Sequence, residues 1–262
     1  MVKSMKENVI ALTRVVQRFP GTSRAALDDV SLEIGRGEFL AIVGPSGSGK
    51  TTLLRLVNRL ADPTGGTVRV EGEVIAGSDP VSLRRRIGYV FQGIGLFPHM
   101  TVAENISITP RLLGWNVTEI QKRVDELLAL VRLPADYRNR MPDELSGGER
   151  QRVGVARALA AKPRIVLMDE PFGALDPVTR EGLTQDYREL HERLGLTSVL
   201  ITHDVLEAVL LADRICVLNE GKIVETGSPA ELMRAPQHDF TRALMKMPER
   251  QAKRLTALLE SS

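Results

Sequence analysis

Apolar residues fall in short runs over the first third of the chain, and turn residues separate them. Residues 9–16 and 25–34 read as strands on either side of a turn at Pro20-Gly21. Phe39-Leu40-Ala41-Ile42-Val43 is a continuous apolar run rich in β-formers, which reads as a buried strand. Leu53-Leu54-Arg55-Leu56-Val57 then continues as helix. Pro63-Thr64-Gly65-Gly66 turns the chain into the alternating strand Thr67-Val68-Arg69-Val70. Ile87-Gly88-Tyr89-Val90-Phe91 is a further apolar strand, and it delivers Gln92 at its end. From residue 93 to about 163 the period changes to that of a helix, with Ile120, Val124, Leu127, Leu128 and Val131 on one face. Thr118 with Gln121 three residues on predicts a capping box for that helix. The stretch reads as a helical insertion in an α/β core. The core resumes at Arg164-Ile165-Val166-Leu167-Met168, an almost wholly apolar run that ends at Asp169-Glu170. Ser198-Val199-Leu200-Ile201-Thr202 is a second such strand and ends at His203. Strands at 215–218 and 222–226 flank a turn at Glu220-Gly221, and residues 228–262 read as helix and tail.

Length and composition add limits. A chain of 262 residues is one large domain, or one domain with an insertion, and buries a substantial core. A net charge of +2 gives no global argument for nucleic acid or an acidic substrate. The single cysteine, Cys216, rules out an internal disulfide framework and suits a reducing compartment; it sits within a core-strand pattern and reads as packing. The N-terminus has no apolar run of signal-peptide type. No stretch approaches the roughly 18 apolar residues that span a bilayer. If the protein serves a membrane process, it is expected to do so from the cytosolic side.

Chemistry concentrates at strand ends. Gly44-Pro45-Ser46-Gly47-Ser48-Gly49-Lys50-Thr51-Thr52 fits G-x-x-x-x-G-K-[ST] and lies between a strand and a helix, the context that a phosphate-cradling loop needs. Its glycines let the backbone turn N–H groups toward phosphate oxygens, and the helix N-terminus adds a positive dipole end. Lys50 is placed to reach the β- and γ-phosphates, and the Thr51 hydroxyl to bind Mg²⁺. Gln92, Asp169, Glu170 and His203 all follow apolar runs at the same edge, where ligands of open α/β sheets bind. Together they predict one nucleotide site.

Leu145-Ser146-Gly147-Gly148-Glu149 is the second motif. With the phosphate loop it makes the chain resemble the ATPase subunit of ATP-binding-cassette (ABC) transporters, from about residue 9 to 227. The full set stands in order: Gly44 to Thr51, Gln92, Leu145 to Glu149, Asp169-Glu170, Ala174-Leu175-Asp176 and His203. The resemblance implies an α/β fold with a P-loop NTPase (RecA-like) core and a mostly parallel sheet, an N-terminal antiparallel β subdomain and an inserted α-helical subdomain. It divides the chain into a nucleotide-binding core at 1–92 and 164–227, a helical signature subdomain at 93–163 and a C-terminal helical tail at 228–262. ATP and Mg²⁺ are the implied cofactors. Asp169 would hold Mg²⁺ directly or through water. Glu170 would be the general base, with His203 positioning water and base at the γ-phosphate. Gln92, which has no group that titrates near neutrality, would ligate Mg²⁺ or water. Phe19 would stack on adenine, where the family more often has Tyr; the alternative for it is a core aromatic. Ser146, Gly147 and Gly148 would face the γ-phosphate held by another copy's loop, with Asp176 at the interface of the two copies.

The same resemblance implies partners. Residues 95–102, Gly-Leu-Phe-Pro-His-Met-Thr-Val, expose bulky apolar groups and would receive a coupling helix of a transmembrane permease; the alternative is that they pack the insertion. The wording around Gly93 to Thr101 and Leu167 to Pro177 is most similar to importers of quaternary-amine osmoprotectants such as glycine betaine, choline or carnitine; the alternative is an importer of another polar organic solute or an inorganic anion. An extracytoplasmic solute-binding protein is then an indirect partner, and the location is the cytoplasmic face of the cell membrane. Nucleic acid is not expected, because a soluble relative acting on nucleic acid or ribosomes needs two cassettes, a long coiled coil or a basic groove. Arg84-Arg85-Arg86 reads as a solvated run. Arg242, Lys246, Arg250, Lys253 and Arg254 make the tail basic, with a solvated or dimer-contact face as one reading and an anionic lipid surface as the other.

Overall fold

The structure is a computed structural model and describes residues 7–248. In chain order the elements are β1 (Asn8–Gln17), β2 (Leu27–Gly35), β3 (Phe39–Val43), α1 (Lys50–Val57), β4 (Gly65–Val70), β5 (Glu73–Val74), α2 (Pro80–Arg86) and β6 (Ile87–Val90). There follow α3 (Val102–Leu112), α4 (Val117–Leu130), α5 (Gly147–Leu159), β7 (Ile165–Asp169), α6 (Pro177–Leu194), β8 (Thr197–Thr202), α7 (Val205–Leu211), β9 (Arg214–Asn219), β10 (Lys222–Gly227), α8 (Pro229–Arg234) and α9 (Asp239–Met245).

The strands form two sheets. One has the order β10-β9-β3-β8-β7-β6, parallel throughout except for the antiparallel edge strand β10. The other, β2-β1-β4-β5, is antiparallel. The fold is thus an α/β P-loop architecture with an added antiparallel sheet. Every residue of β3 and β7 is buried, because helices or strands cover both faces. Alternation then sorts the side chains: Leu40, Ile42, Leu167 and Ile201 pack with α1 and the antiparallel sheet, while Phe39, Ala41, Val43, Met168 and Leu200 pack under the helices that follow. The apolar face of α4 is buried as its spacing requires, with Ile120, Val124, Leu127, Leu128 and Val131 in the core.

Three local expectations change. The capping box of α4 belongs to Asn116 and Glu119, not Thr118 and Gln121. The Asn116 side chain accepts from the Glu119 N–H at 2.9 Å, and Glu119 accepts from the Asn116 N–H at 3.2 Å, so the helix starts one residue before Thr118. The sixth strand ends at Val90, leaving Phe91 outside it and 45% exposed. Within 95–102, Phe97 is exposed but Val102 is fully buried as the first residue of α3. Asn105 organises that loop: it accepts from the Phe97 N–H and donates to the carbonyls of Phe97, Met100 and Thr101. The arginine run at 84–86 is occupied at the surface, with Arg84 donating to the Asn58 carbonyl and Arg86 pairing with Glu71 and Glu73. Of the basic tail, Arg242 pairs with Asp239, whereas Arg250, Lys253 and Arg254 lie outside the described residues. Among the described residues no helix is long and apolar enough to cross a membrane.

Candidate functional site

The loop from Gly44 to Gly49 leaves the end of β3 and enters α1. Its two ends are tightly enclosed, while Pro45, Ser46 and Gly47 are exposed. A Cβ on Gly49, which has φ +104°, would lie 2.3 Å from the Ala26 carbonyl oxygen, and one on Gly44 would lie 2.0 Å from that of Leu218. No side chain caps α1, so its first N–H groups are left for another acceptor. Lys50 is buried and donates to the carbonyls of Gly44 and Pro45, both at 2.9 Å, which folds its ammonium back over its own loop. Burial lowers the Lys50 pKa, and the nearby Glu170 and Asp169 oppose that shift. The Ser48 hydroxyl oxygen is buried with no partner among the described residues.

β7 delivers the acidic pair. The Thr51 hydroxyl donates to Asp169 Oδ1 at 3.2 Å. Burial raises the Asp169 pKa, and the Thr51 hydrogen bond pulls it the other way. Tyr89 also hydrogen-bonds Asp169. Glu170 leaves the strand with φ +44°, and its N–H donates to the Ile201 carbonyl of β8 at 2.9 Å. That turn aims the carboxylate across the sheet edge. Glu170 Oε2 accepts from Gln92 Nε2 at 3.2 Å and lies 3.2 Å from His203 Nδ1. The loop residues Ser46, Gly47, Gly49, Lys50, Thr51 and Thr52 line a cleft of about 490 Å³ with Gln92, Glu170 and His203.

A divalent cation fits this corner chemically. A threonine hydroxyl and a carboxylate, already in contact, are the hard oxygen donors that Mg²⁺ takes alongside phosphate and water. Among the described residues no group of three or more His, Cys, Asp or Glu is arranged to hold a metal. The protein would therefore supply few ligands, and phosphate and water the rest.

Ser146, Gly147, Gly148, Asp176 and Phe19 lie outside that cleft's lining, and so do Gly44, Pro45, Ser48 and Asp169, which stand just behind it in the phosphate loop and at the end of β7. Phe19 is 42% exposed in the turn after β1, so it is not a core aromatic. Ser146 caps α5: its hydroxyl accepts from the Glu149 N–H at 3.3 Å, and Glu149 accepts from the Ser146 N–H at 2.7 Å. Tyr137 donates to the other Glu149 oxygen at 2.8 Å. The Ser146 bonds and then Tyr137 hold the Glu149 carboxyl below its usual range. A Cβ on Gly148 would lie 2.5 Å from Thr179 Cγ2, and one on Gly147 3.7 Å from Leu175 Cδ2, so the start of α5 packs on the start of α6. Asp176 caps α6 through the Thr179 N–H at 3.0 Å. The Ser146 helix tip and Asp176 therefore neighbour each other in the fold, and neither lines the cleft. Sequence reading missed the Ser146–Glu149 box, although S-x-x-E is its written signature. It also missed Arg180 and Glu207, and the Arg180–Asp204 pair, which forms only where α6 meets the start of α7.

The family model described as ABC transporter matches residues 27–173. The chain is 49% identical over 232 residues to the glycine betaine/carnitine/choline transport ATP-binding protein of Bacillus subtilis (strain 168), covering 88% of this chain and 61% of that one. It is 48% identical over 220 residues to the glycine betaine uptake system ATP-binding protein of Escherichia coli (strain K12), covering 84% and 71%. This chain thus spans about three fifths of the length of the first of these relatives. A dimeric bacterial ABC transporter cassette superposes with a TM-score of 0.76 at 37% identity, covering 84% of this chain and 98% of that one. The same cassette is also solved as a dimer in a post-hydrolysis state bound to ADP and phosphate.

Proposed function

From the premise that this chain belongs to the ABC transporter family, we propose that it is the ATP-hydrolysing subunit of an importer, coupling nucleotide binding and cleavage in a head-to-tail dimer to uptake through a transmembrane permease. The observation that carries this reading is one sheet edge on which Thr51 touches Asp169 while Glu170 sits between Gln92 and His203.

Each residue has a task there. Lys50 exchanges the carbonyls of Gly44 and Pro45 for phosphate oxygens. Loop N–H groups from Ser46 to Thr52 and the start of α1 hold the remaining phosphate charge. Phe19 offers its exposed ring to the base. Thr51, Asp169 and Gln92 would hold Mg²⁺, which when bound neutralises charge building on the phosphates. Glu170 accepts the proton of the attacking water, and His203 and Gln92 fix the orientation of that carboxylate. Ser146, Gly147, Gly148 and Asp176 serve the nucleotide of a second copy. The position of Ser146 outside the cleft of its own chain supports that assignment.

The permease contact is assigned to a second cleft, about 450 Å³, between the core and the helical insertion. Its lining includes the exposed Leu60, Phe91 and Phe97 and the cationic Arg84, Arg85 and Arg157. Arg157 donates to the carbonyls of Gly95 and Ile94, which ties this cleft to the segment just after Gln92. Named relatives transport glycine betaine, carnitine or choline; a quaternary-amine osmoprotectant is accordingly the proposed solute, delivered by an extracytoplasmic binding protein. The proposed location is the cytoplasmic face of the membrane.

The test is phosphate release from Mg-ATP. A positioned general base contributes about 10²–10⁴ in rate, or about 3–5 kcal/mol of barrier. Glu170→Gln should bind ATP like the wild type and lose turnover by such a factor. Near-normal hydrolysis by that variant would remove Glu170 from the role.

A further inference from the structure

Arg180 lies one turn into α6, its N–H bonded to the Asp176 carbonyl at 2.9 Å. Its guanidinium turns back and forks. Nη2 donates to the Leu175 carbonyl at 3.0 Å and, at 3.5 Å, to that of Gly173. Nη1 reaches Asp204 Oδ2 at 3.3 Å. One side chain therefore joins the loop that runs from Glu170 to Asp176 with the residue that follows His203.

Both ends of this link are fixed close to reacting groups. The Gly173 N–H donates to the Glu170 carbonyl at 3.3 Å, and a Cβ on Gly173 would stand 3.9 Å from Glu170 Oε2. On the other side, Asp204 Oδ1 accepts from the N–H groups of Leu206 and Glu207, and the Asp204 N–H donates to Thr202 Oγ1 at 3.0 Å. Thr202 in turn hydrogen-bonds the buried Glu207. The turn holding His203 is thus pinned on both sides while the imidazole itself stays 61% exposed.

We propose that Arg180 is a positioning residue: through its fork it couples the Asp176 loop to the His203 turn and so sets the separation of His203 and Glu170. The inference rests on the two-copy ATPase reading, in which Asp176 meets the second copy. Docking of that copy would move the 173–176 loop, and the guanidinium would carry the movement to His203. A merely stabilising role predicts something different. The pair is roughly one-third exposed at both ends, and ion pairs so open to solvent contribute little to stability.

The experiment uses the full chain with Mg-ATP and the variants Arg180→Met, Arg180→Lys, Asp204→Asn and the Met/Asn double. Misplacing a catalytic pair by about 1 Å costs about 10²-fold. Arg180→Met should therefore lower kcat by about 10- to 100-fold, with the ATP Kd unchanged within about twofold. Lys, which keeps the charge but not the fork, should recover part of the rate. The double variant should be no slower than the slower single, because both changes break one link. Thermal midpoints should move by no more than about 2 °C, as for a surface pair. A kcat for Arg180→Met within about threefold of wild type, or a double variant slowed by the product of the two singles, overturns the inference. A wild type that fails to hydrolyse ATP overturns the ATPase reading and this inference with it, whereas an active wild type beside an unaffected Arg180→Met overturns the inference alone.

Discussion

Glu207 should make the stability of this protein fall as pH rises through neutrality. It sits on α7, only 7% exposed, with Oε1 buried and unpartnered. Burial pushes its pKa up to about 7 from an ordinary 4.5; Asp204 adds to the rise, while a Thr202 hydrogen bond, Arg180 and His203 oppose it. The folded chain thus holds this proton more tightly than the unfolded one. The resulting stability is complete below about pH 4.5 and is lost progressively until the pH passes about 7. Each tenfold difference in proton affinity is worth about 1.4 kcal/mol, so the loss comes to about 3 kcal/mol. Glu207→Gln cannot ionise and does not lose it. Urea unfolding of both proteins at pH 5 and pH 8 reads the effect directly. Part of the loss has already occurred by pH 5, so whatever the substitution does there, the variant should gain about 2.5 kcal/mol on the wild type between pH 5 and pH 8. His191 works in the opposite sense. It is buried beside Ser198, and desolvation followed by Arg188 lowers its pKa, so its contribution is present above about pH 6.5 and lost as pH falls. His191 is common to both proteins and cancels. Parallel stability profiles for wild type and Glu207→Gln would refute the reasoning.

Gly49→Ala should abolish nucleotide binding, because its Cβ would meet the Ala26 carbonyl at 2.3 Å from a backbone with φ +104°; equilibrium dialysis with labelled ATP measures it. Asn105→Leu fills the same space but orphans the Phe97 N–H and three carbonyls, and should cost about 3 kcal/mol by urea denaturation. Phe91→Glu with Phe97→Glu places charge in the apolar cleft between core and insertion, and should remove co-purification with a permease expressed alongside.

The sheet was legible because each buried strand is a short apolar run with a sharp end. Runs at 39–43, 165–168 and 198–202 each appear as a buried strand, and the phosphate loop after the first, Glu170 after the second and His203 after the third line one cleft. Helix starts were less legible. Asn116-x-x-Glu119 and Thr118-x-x-Gln121 are both written in the chain, and only the position of α4 against the core decides between them. The approach of the Ser146 helix tip to the start of α6 depends on packing of α5 on α6, which no local pattern encodes. Asp204-x-x-Glu207 is written as a helix start, and Asp204 does cap α7, but the pairing of Asp204 with Arg180 depends on two helices meeting beside His203.

Sedimentation velocity of Glu170→Gln with and without Mg-ATP tests the central claim most directly. The shared-nucleotide account predicts a monomer that becomes a dimer when ATP is added. It also predicts that adding Ser146→Arg leaves ATP bound but the protein monomeric. An ATP-loaded Glu170→Gln that stays monomeric, or a Ser146→Arg form that dimerises as well as its parent, would contradict it.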